Sequence, residues 1–226
     1  MSLADRIKRY EKTFSPMTVR RMPVMIRVDG RAFHTFTRHS EKPFDKKLMA
    51  AMVAAALEVA KDMQGFKCAY VQSDEASFCL TDYDTLETQG WFDYDLSKMV
   101  SLSAAMMSVY FNKFYPTDRL PVFDSRAFTI PVDDVVNAFL WRAKDWERNS
   151  LQMYSRAFFS HKELHNKKRA DMHEMLHKID KNWATDLTDQ ERNGSFLVST
   201  EDGIQCRYDI LPTYADINSA IGEMFA

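Results

Sequence analysis

Phe66-Lys67-Cys68-Ala69-Tyr70-Val71-Gln72-Ser73-Asp74-Glu75-Ala76-Ser77-Phe78-Cys79-Leu80-Thr81 is the stretch that decides the fold. Phe66 to Gln72 and Ala76 to Thr81 are short strand candidates, and Ser73-Asp74-Glu75 between them is a polar turn. The segment reads as a hairpin with acids at its tip. Upstream, Asp45 is a candidate N-cap for a helix that runs through Met63, rich in Ala, Met and Leu and unbroken until Gly65. Further upstream, Pro23 to Val28 is apolar apart from Arg27 and stops at Asp29-Gly30, the pattern of a buried strand ending in a turn. Downstream, the spacing predicts a helix from about Asp95 to Phe114 with Leu96, Met99, Leu102, Met106, Val109, Tyr110 and Phe114 facing inward. Val122 to Ile130 then supplies a fourth strand, ended by Pro131. Strand, helix, strand, strand, helix, strand is the order of a ferredoxin-like βαββαβ sheet.

Outside this unit, Leu3, Ile7, Tyr10 and Phe14 predict a short amphipathic opening helix stopped by Pro16. The second half is mainly helical, with Asp133 to Ser160 as one long or broken helix and Lys168 to Lys181 as another. Ser195 to Thr200 is a fair strand candidate and Cys206 to Ile210 a weakly patterned one. The expected class is α+β, with a sheet region over residues 1–132 and a helical extension with short strands over 133–226, packed as one body. No repeat or Pro/Gly/Ser-rich linker divides the chain.

With 226 residues, 46% hydrophobic and 27% charged, the chain can bury a substantial core. A net charge of −2 excludes a globally basic nucleic-acid binder and leaves that role to local clusters. Such clusters are Lys8, Arg9, Lys12, Arg20 and Arg21, and Lys162, Lys167, Lys168 and Arg169. Cys68, Cys79 and Cys206 form no CxxC pair and suit buried reduced thiols rather than a zinc ribbon or disulfide framework. No signal peptide or membrane span is expected, which makes the cytoplasm the expected compartment.

In a ferredoxin-like sheet the first two strands run parallel with the third between them, so their C-terminal ends share an edge. Asp29 follows the first strand and Asp74 the second, so the two carboxylates are expected to meet at one rim, where hard divalent cations find oxygen ligands. Metal-assisted phosphoryl transfer needs no side-chain nucleophile. Gly30-Arg31-Ala32-Phe33-His34 adds close backbone approach and two phosphate donors, with Arg27, Lys42 and Lys98 as further triphosphate-pocket candidates.

Val28-Asp29-Gly30-Arg31-Ala32-Phe33-His34-Thr35-Phe36 resembles the nucleotide-binding signature of the tRNA-histidine guanylyltransferase family, and Gln72-Ser73-Asp74-Glu75-Ala76-Ser77-Phe78 resembles its second acidic motif. Lys42-Pro43, Ser97-Lys98, Phe123-Asp124-Ser125-Arg126, and Trp141-Arg142 leading to Asp145 and Asn149 extend the resemblance over most of the chain. The resemblance implies a polymerase-palm sheet that extends RNA in the 3′-to-5′ direction: ATP activates a 5′-monophosphate end, and the 3′-hydroxyl of an incoming nucleotide, usually GTP, attacks it. It implies two Mg2+ ions on Asp29, Asp74 and the Gly30 carbonyl, with Glu75 and Lys42 joining the catalytic set. Asp29 to His34 with Ser73 and Asp74 would hold the nucleotide, aided by Arg27 and Lys98. Arg148 and Asn149, with Lys167 and Lys168 of the basic cluster, would contact RNA. Glu147-Arg148-Asn149-Ser150 keeps only the Asn of the eukaryotic His-Ile-Asn motif, which resembles the bacterial, archaeal and viral branch. The implied role is repair of tRNA 5′ ends or guanylylation of tRNA-histidine, by a homo-oligomer that is a tetramer in the family generally.

His173-Glu174-Met175-Leu176-His177 matches HExxH, but no histidine follows His177 to complete a zinc site, and an exposed amphipathic helix accounts for it. His161 and His165, beside Lys162 and Lys167, suit a basic RNA-facing helix. Trp141 and Trp146 suit core packing more than base stacking. Two other readings of the acid pair are a nucleotidyl cyclase without RNA substrate and a non-catalytic nucleotide- or RNA-binding module.

Overall fold

A computed structural model describes residues 1–13 and 15–225; Phe14 of the opening helical pattern lies outside them. The elements are α1 (Leu3–Thr13), β1 (Val24–Gly30), α2 (Phe33–Phe36), α3 (Lys46–Asp62), β2 (Phe66–Gln72), β3 (Glu75–Leu80), α4 (Leu96–Phe114), β4 (Phe123–Thr129) and α5 (Val132–Arg156). There follow α6 (His161–Leu164), α7 (Arg169–His177), α8 (Trp183–Asp186), α9 (Asp189–Asn193), β5 (Ser195–Thr200), β6 (Gly203–Arg207) and α10 (Tyr214–Ile221). The strands form one six-stranded sheet in the order β4-β1-β3-β2-β5-β6. Its first four strands are the ferredoxin-like unit, and β5 pairs antiparallel with β2 to extend the sheet at that edge.

The starts and stops are local. Asp45 accepts a hydrogen bond from the Leu48 backbone N–H at 3.0 Å and opens α3, and Asp95 does the same for Lys98 at 3.0 Å to open α4. Gly65 reverses the chain into β2 at φ +77°, where an added Cβ would lie 2.0 Å from the Thr81 carbonyl oxygen. Ser73, at φ +48°, makes the β2–β3 turn, and Gln72 pairs directly with Glu75. Glu75 therefore belongs to strand β3 rather than to the hairpin tip.

Strand alternation gives the sheet two apolar faces. Val24, Ile26 and Val28 pack with α3 and α4, while Met25, Cys68, Tyr70 and Cys79 pack with Val135, Phe139 and Trp146 of α5 and Ile217 and Ile221 of α10. Trp146 is core, whereas Trp141 is 59% exposed. The inward stripe of α4 is Met99, Ser103, Met107 and Phe111; of the stripe the apolar spacing favours, Met99 is buried and Met106 and Tyr110 pack against the core, whereas Leu102, Val109 and Phe114 are exposed. Ser103 decides this, because its hydroxyl meets that of Ser125 on β4 at 2.7 Å and lets helix and strand approach closely. The predicted long helix breaks after Arg156, and Ser160 restarts the chain with a capping box to Glu163. The late strand lies at Gly203–Arg207, earlier than Cys206 to Ile210, and as an edge strand it leaves Cys206 exposed while Cys68 and Cys79 are buried.

Candidate active site

The hairpin, the end of β1 and the start of β4 bring four acids to one rim of the sheet. Asp29 pairs in register with Glu75 on β3 and with Asp124 on β4, so the three side chains share the face covered by α5. Asp74 sits in the turn beside them, and its carbonyl accepts the Gly30 backbone N–H at 3.0 Å, which ties the turn to the end of β1.

The four carboxylates are treated unequally. Glu75 is 8% exposed and accepts two hydrogen bonds from Arg142 of α5, Nε to Oε1 and Nη2 to Oε2, each 2.7 Å. Asp124 lies 3.4 Å from Arg126. Among the described residues, no Lys, Arg or His makes an ion pair with Asp29 or Asp74. Burial raises the carboxyl of Asp29 above its ordinary range, with Asp124 adding to the effect and Arg126, Arg27 and Arg142 opposing it. Asp74 is pushed up to about 6, first by burial and further by Asp29, against a 3.0 Å hydrogen bond from the Ser73 hydroxyl. Two partly buried acids that repel one another and lack a protein cation fit a bound divalent metal, which takes hard oxygen donors and compensates both charges. Among the described residues, no three or more His, Cys, Asp or Glu side chains converge into a larger metal cage. A magnesium pair would draw its remaining ligands from backbone, nucleotide phosphates and water.

The loop after β1 is shaped by its aromatic. Ala32 adopts φ +55°, and Phe33 turns into the core, 2% exposed, against Phe36, Phe111 and Phe123 with ring centroids 5.0–5.5 Å away. A Cβ at Gly30 would lie 2.2 Å from the Phe33 ring. Phe33 can therefore offer a ligand only its backbone, while Arg31, Ala32 and His34 are exposed beside the acids. Arg27 lies on the same face as Asp29, its guanidinium 5.5 Å from the Trp141 ring.

Lys42 flanks the hairpin turn. It lines a cleft shared with Ser40, Asp45, Ser73, Trp146 and Met153, and its Nζ donates to the Thr37 carbonyl at 3.2 Å. Lys98 is not brought to the rim. Its neighbour Met99 lines a cleft with Val24 and Leu80, at the opposite end of the strands. At about 3.3 Å per residue, that end is roughly 17 Å from Asp29. Arg148 and Asn149 follow Arg142 along α5, both bonded to Asp145. Lys167 and Lys168 are exposed before α7, which Arg169 ties to Glu147 of α5 at 2.7 Å. In the HExxH segment Leu176 is buried, as is Met172 just before it, His173 packs against Trp183, and Glu174 and His177 face outward.

Arg142, Asp145, Asp124 and Arg126 are the residues to which sequence reasoning gave no role. The spacing of β1 and β4 carried a signal, since pairing the two strands sets Asp124 opposite Asp29. The Arg142–Glu75 contact spans 67 positions and had no local signal.

A ferredoxin-like sheet carrying an uncompensated acid pair at the ends of β1 and β2 defines the polymerase-palm class of architecture. Residues 4–131, more than half of the chain, match the family model for tRNAHis guanylyltransferase (Thg1), and the chain belongs to that family. It is 35% identical over 146 residues to the tRNA(His) guanylyltransferase of Eremothecium gossypii, covering 61% of this chain and 60% of that protein. The chain thus spans about six tenths of the length of the first curated relatives it matches. Among solved structures, a bacterial tRNA(His) guanylyltransferase (Thg1)-like protein in complex with ATP superposes with a TM-score of 0.91 at 37% identity, with 99% of both chains covered. A bacterial Thg1-like protein in complex with GTP gives 0.83 at 33% identity, again with 99% of both covered.

Proposed function

We propose that this protein is a magnesium-dependent nucleotidyltransferase that adds nucleotides, GTP by preference, to the 5′ end of tRNA in the 3′-to-5′ direction. The observation that carries the reading is the Asp29–Asp74 pair, left without a protein cation while Glu75 and Asp124 each face an arginine. Family membership and the nucleotides named for the two bacterial neighbours support it.

In this reading Asp29, Asp74 and the Gly30 carbonyl hold two Mg2+ ions. When bound, these supply activation of the attacking hydroxyl and neutralisation of the charge that develops on phosphorus and on the leaving pyrophosphate. The backbone from Arg31 to His34 and the exposed side chains of Arg31 and His34, with Ser73, orient the incoming nucleotide so that its 3′-hydroxyl points at the rim. Arg27, on the Asp29 face, contributes positive charge toward its phosphates. Lys42, across the cleft from Ser73, acts on the 5′ end during activation by ATP. Arg148, Asn149, Lys167 and Lys168 face the RNA. Lys98 serves this site only if another copy supplies it, a requirement that accords with a homo-oligomer. A tRNA substrate accords with a cytoplasmic setting, and among the described residues no helix is long and apolar enough to cross a membrane.

The test is incorporation of labelled GTP into a tRNA that lacks its first 5′ nucleotide, with magnesium, beside Asp29→Ala, Asp74→Ala and a zinc-only control. Extension at the 5′ end that needs magnesium and disappears in both variants is expected. Cyclic nucleotide formed without RNA would transfer the acid pair to cyclase chemistry. Nucleotide binding without any product would leave a binding module.

A further inference from the structure

We infer that Arg142 is a positioning residue of the acidic rim, whose guanidinium withholds Glu75 from the metal ligands and fixes the hairpin that carries Asp74. The inference rests on the reading of Asp29 and Asp74 as the magnesium ligands.

Three of the rim carboxylates, Asp124, Asp29 and Glu75, lie side by side in register, and Asp74 precedes Glu75 in the chain. A divalent cation takes whichever carboxylate oxygens are free, so a free Glu75 beside Asp74 would compete for it and draw it away from the nucleotide phosphates. The structure removes that competitor. Both Glu75 oxygens are engaged at 2.7 Å by the Arg142 fork, and Oε1 also accepts the Ser77 hydroxyl at 3.3 Å. The side chains of Arg142 and Glu75 are only 12% and 11% exposed, so neither charge is matched by water instead. A planar guanidinium can hold two carboxylate oxygens at once, which an ammonium cannot.

Arg142 is itself held from the other side. Its Nη2 also donates to Asp145 Oδ2 at 3.2 Å, and its guanidinium lies 4.6 Å from the Trp141 ring centroid. Asp145 in turn accepts Arg148 and, at 3.4 Å, the Asn149 amide. A single side chain thus connects the acid-bearing hairpin to the stretch of α5 proposed to face RNA.

The experiment measures Mn2+ binding to the nucleotide-free protein by electron paramagnetic resonance, alongside 5′-extension turnover and the melting temperature. The variants are Arg142→Met, Arg142→Lys, the double variant Glu75→Gln with Arg142→Met, and Asp29→Ala as the site control. Releasing an uncompensated carboxylate at the rim is expected to tighten Mn2+ binding about tenfold in Arg142→Met. Turnover falls by about a hundredfold in the same variant, because the ion is held in the wrong place. The double variant, which removes both charges, returns Mn2+ affinity to within about twofold of the parent. Arg142→Lys keeps the charge and the affinity but loses about tenfold in turnover. A scaffolding arginine would instead weaken Mn2+ binding in step with the melting temperature in all three variants, and that result overturns the inference. Should Arg142→Met fail to fold, the double variant decides: parent-like affinity upholds the inference and a loss of tenfold or more refutes it. A parent protein with no Mn2+ site sensitive to Asp29→Ala removes the metal-site reading first, and this inference with it.

Discussion

Replacing Asp74 by Asn should make the metal-free protein more stable while it abolishes activity. Asp74 has its carboxyl pushed from an ordinary 3.8 up to about 6, chiefly by burial. A folded-state value above the unfolded one means that the folded chain holds the proton more tightly, so stability declines as pH rises from about 4 to about 6 and is flat above. At about 1.36 kcal/mol per pH unit, the ionised carboxylate costs the metal-free fold about 3 kcal/mol at pH 7.5 and roughly half of that at pH 5. Partial solvent access and side-chain adjustment bring the expected gain for Asp74→Asn down to about 1–2 kcal/mol at pH 7.5. The isosteric amide can still accept from the Ser73 hydroxyl, and the Gly30 N–H bond is to backbone, so neither contact need be lost. Urea unfolding in a chelator at pH 7.5 and pH 5 measures the difference, and excess magnesium should stabilise the parent but not the variant. An Asp74→Asn protein no more stable than the parent at pH 7.5, or an advantage that fails to shrink at pH 5, would refute the argument.

Gly30→Ala drives a methyl into the Phe33 ring, where the Cβ would sit at 2.2 Å, and should cost about 1–3 kcal/mol by chemical denaturation with a parallel loss of GTP affinity in equilibrium binding. Met107→Ala should cost about 2–5 kcal/mol and Val109→Ala less than about 0.5 kcal/mol in the same unfolding assay, because Met107 is fully buried and Val109 is 66% exposed. Lys167→Ala with Lys168→Ala should weaken tRNA binding and reduce the salt slope of the affinity by about two, measured by filter binding over a salt series.

Where each element's cause is local, the sequence was enough. Asp45 and Asp95 cap their helices with their own side chains, and the β2–β3 alternation is broken only by Ser73-Asp74, so the βαββαβ order of the first four strands and the meeting of Asp29 with Asp74 were legible, whereas α8, α9 and α10 were not. The inward face of α4 was legible only in part, because Leu, Met and Val occur around most of that helix and apolar spacing admits two stripes. The choice falls to Ser103 and its partner Ser125, a polar contact invisible to a hydrophobic pattern. Strand β6 has little apolar alternation to detect because it is an edge strand with its side chains largely exposed. Lys98 shows the opposite problem, since a motif match says nothing of which end of α4 faces the acids of its own chain. Glu75 combines both problems. Nothing within several residues distinguishes it from its neighbour Asp74, yet Arg142, brought over the sheet by α5, turns one of two adjacent acids into a clasp and leaves the other without a protein cation. The division of labour at this rim is therefore a tertiary property: β1, the hairpin and β4 supply the carboxylates, and α5 in the second half of the chain, through Arg142, takes Glu75 out of the set left without a protein cation.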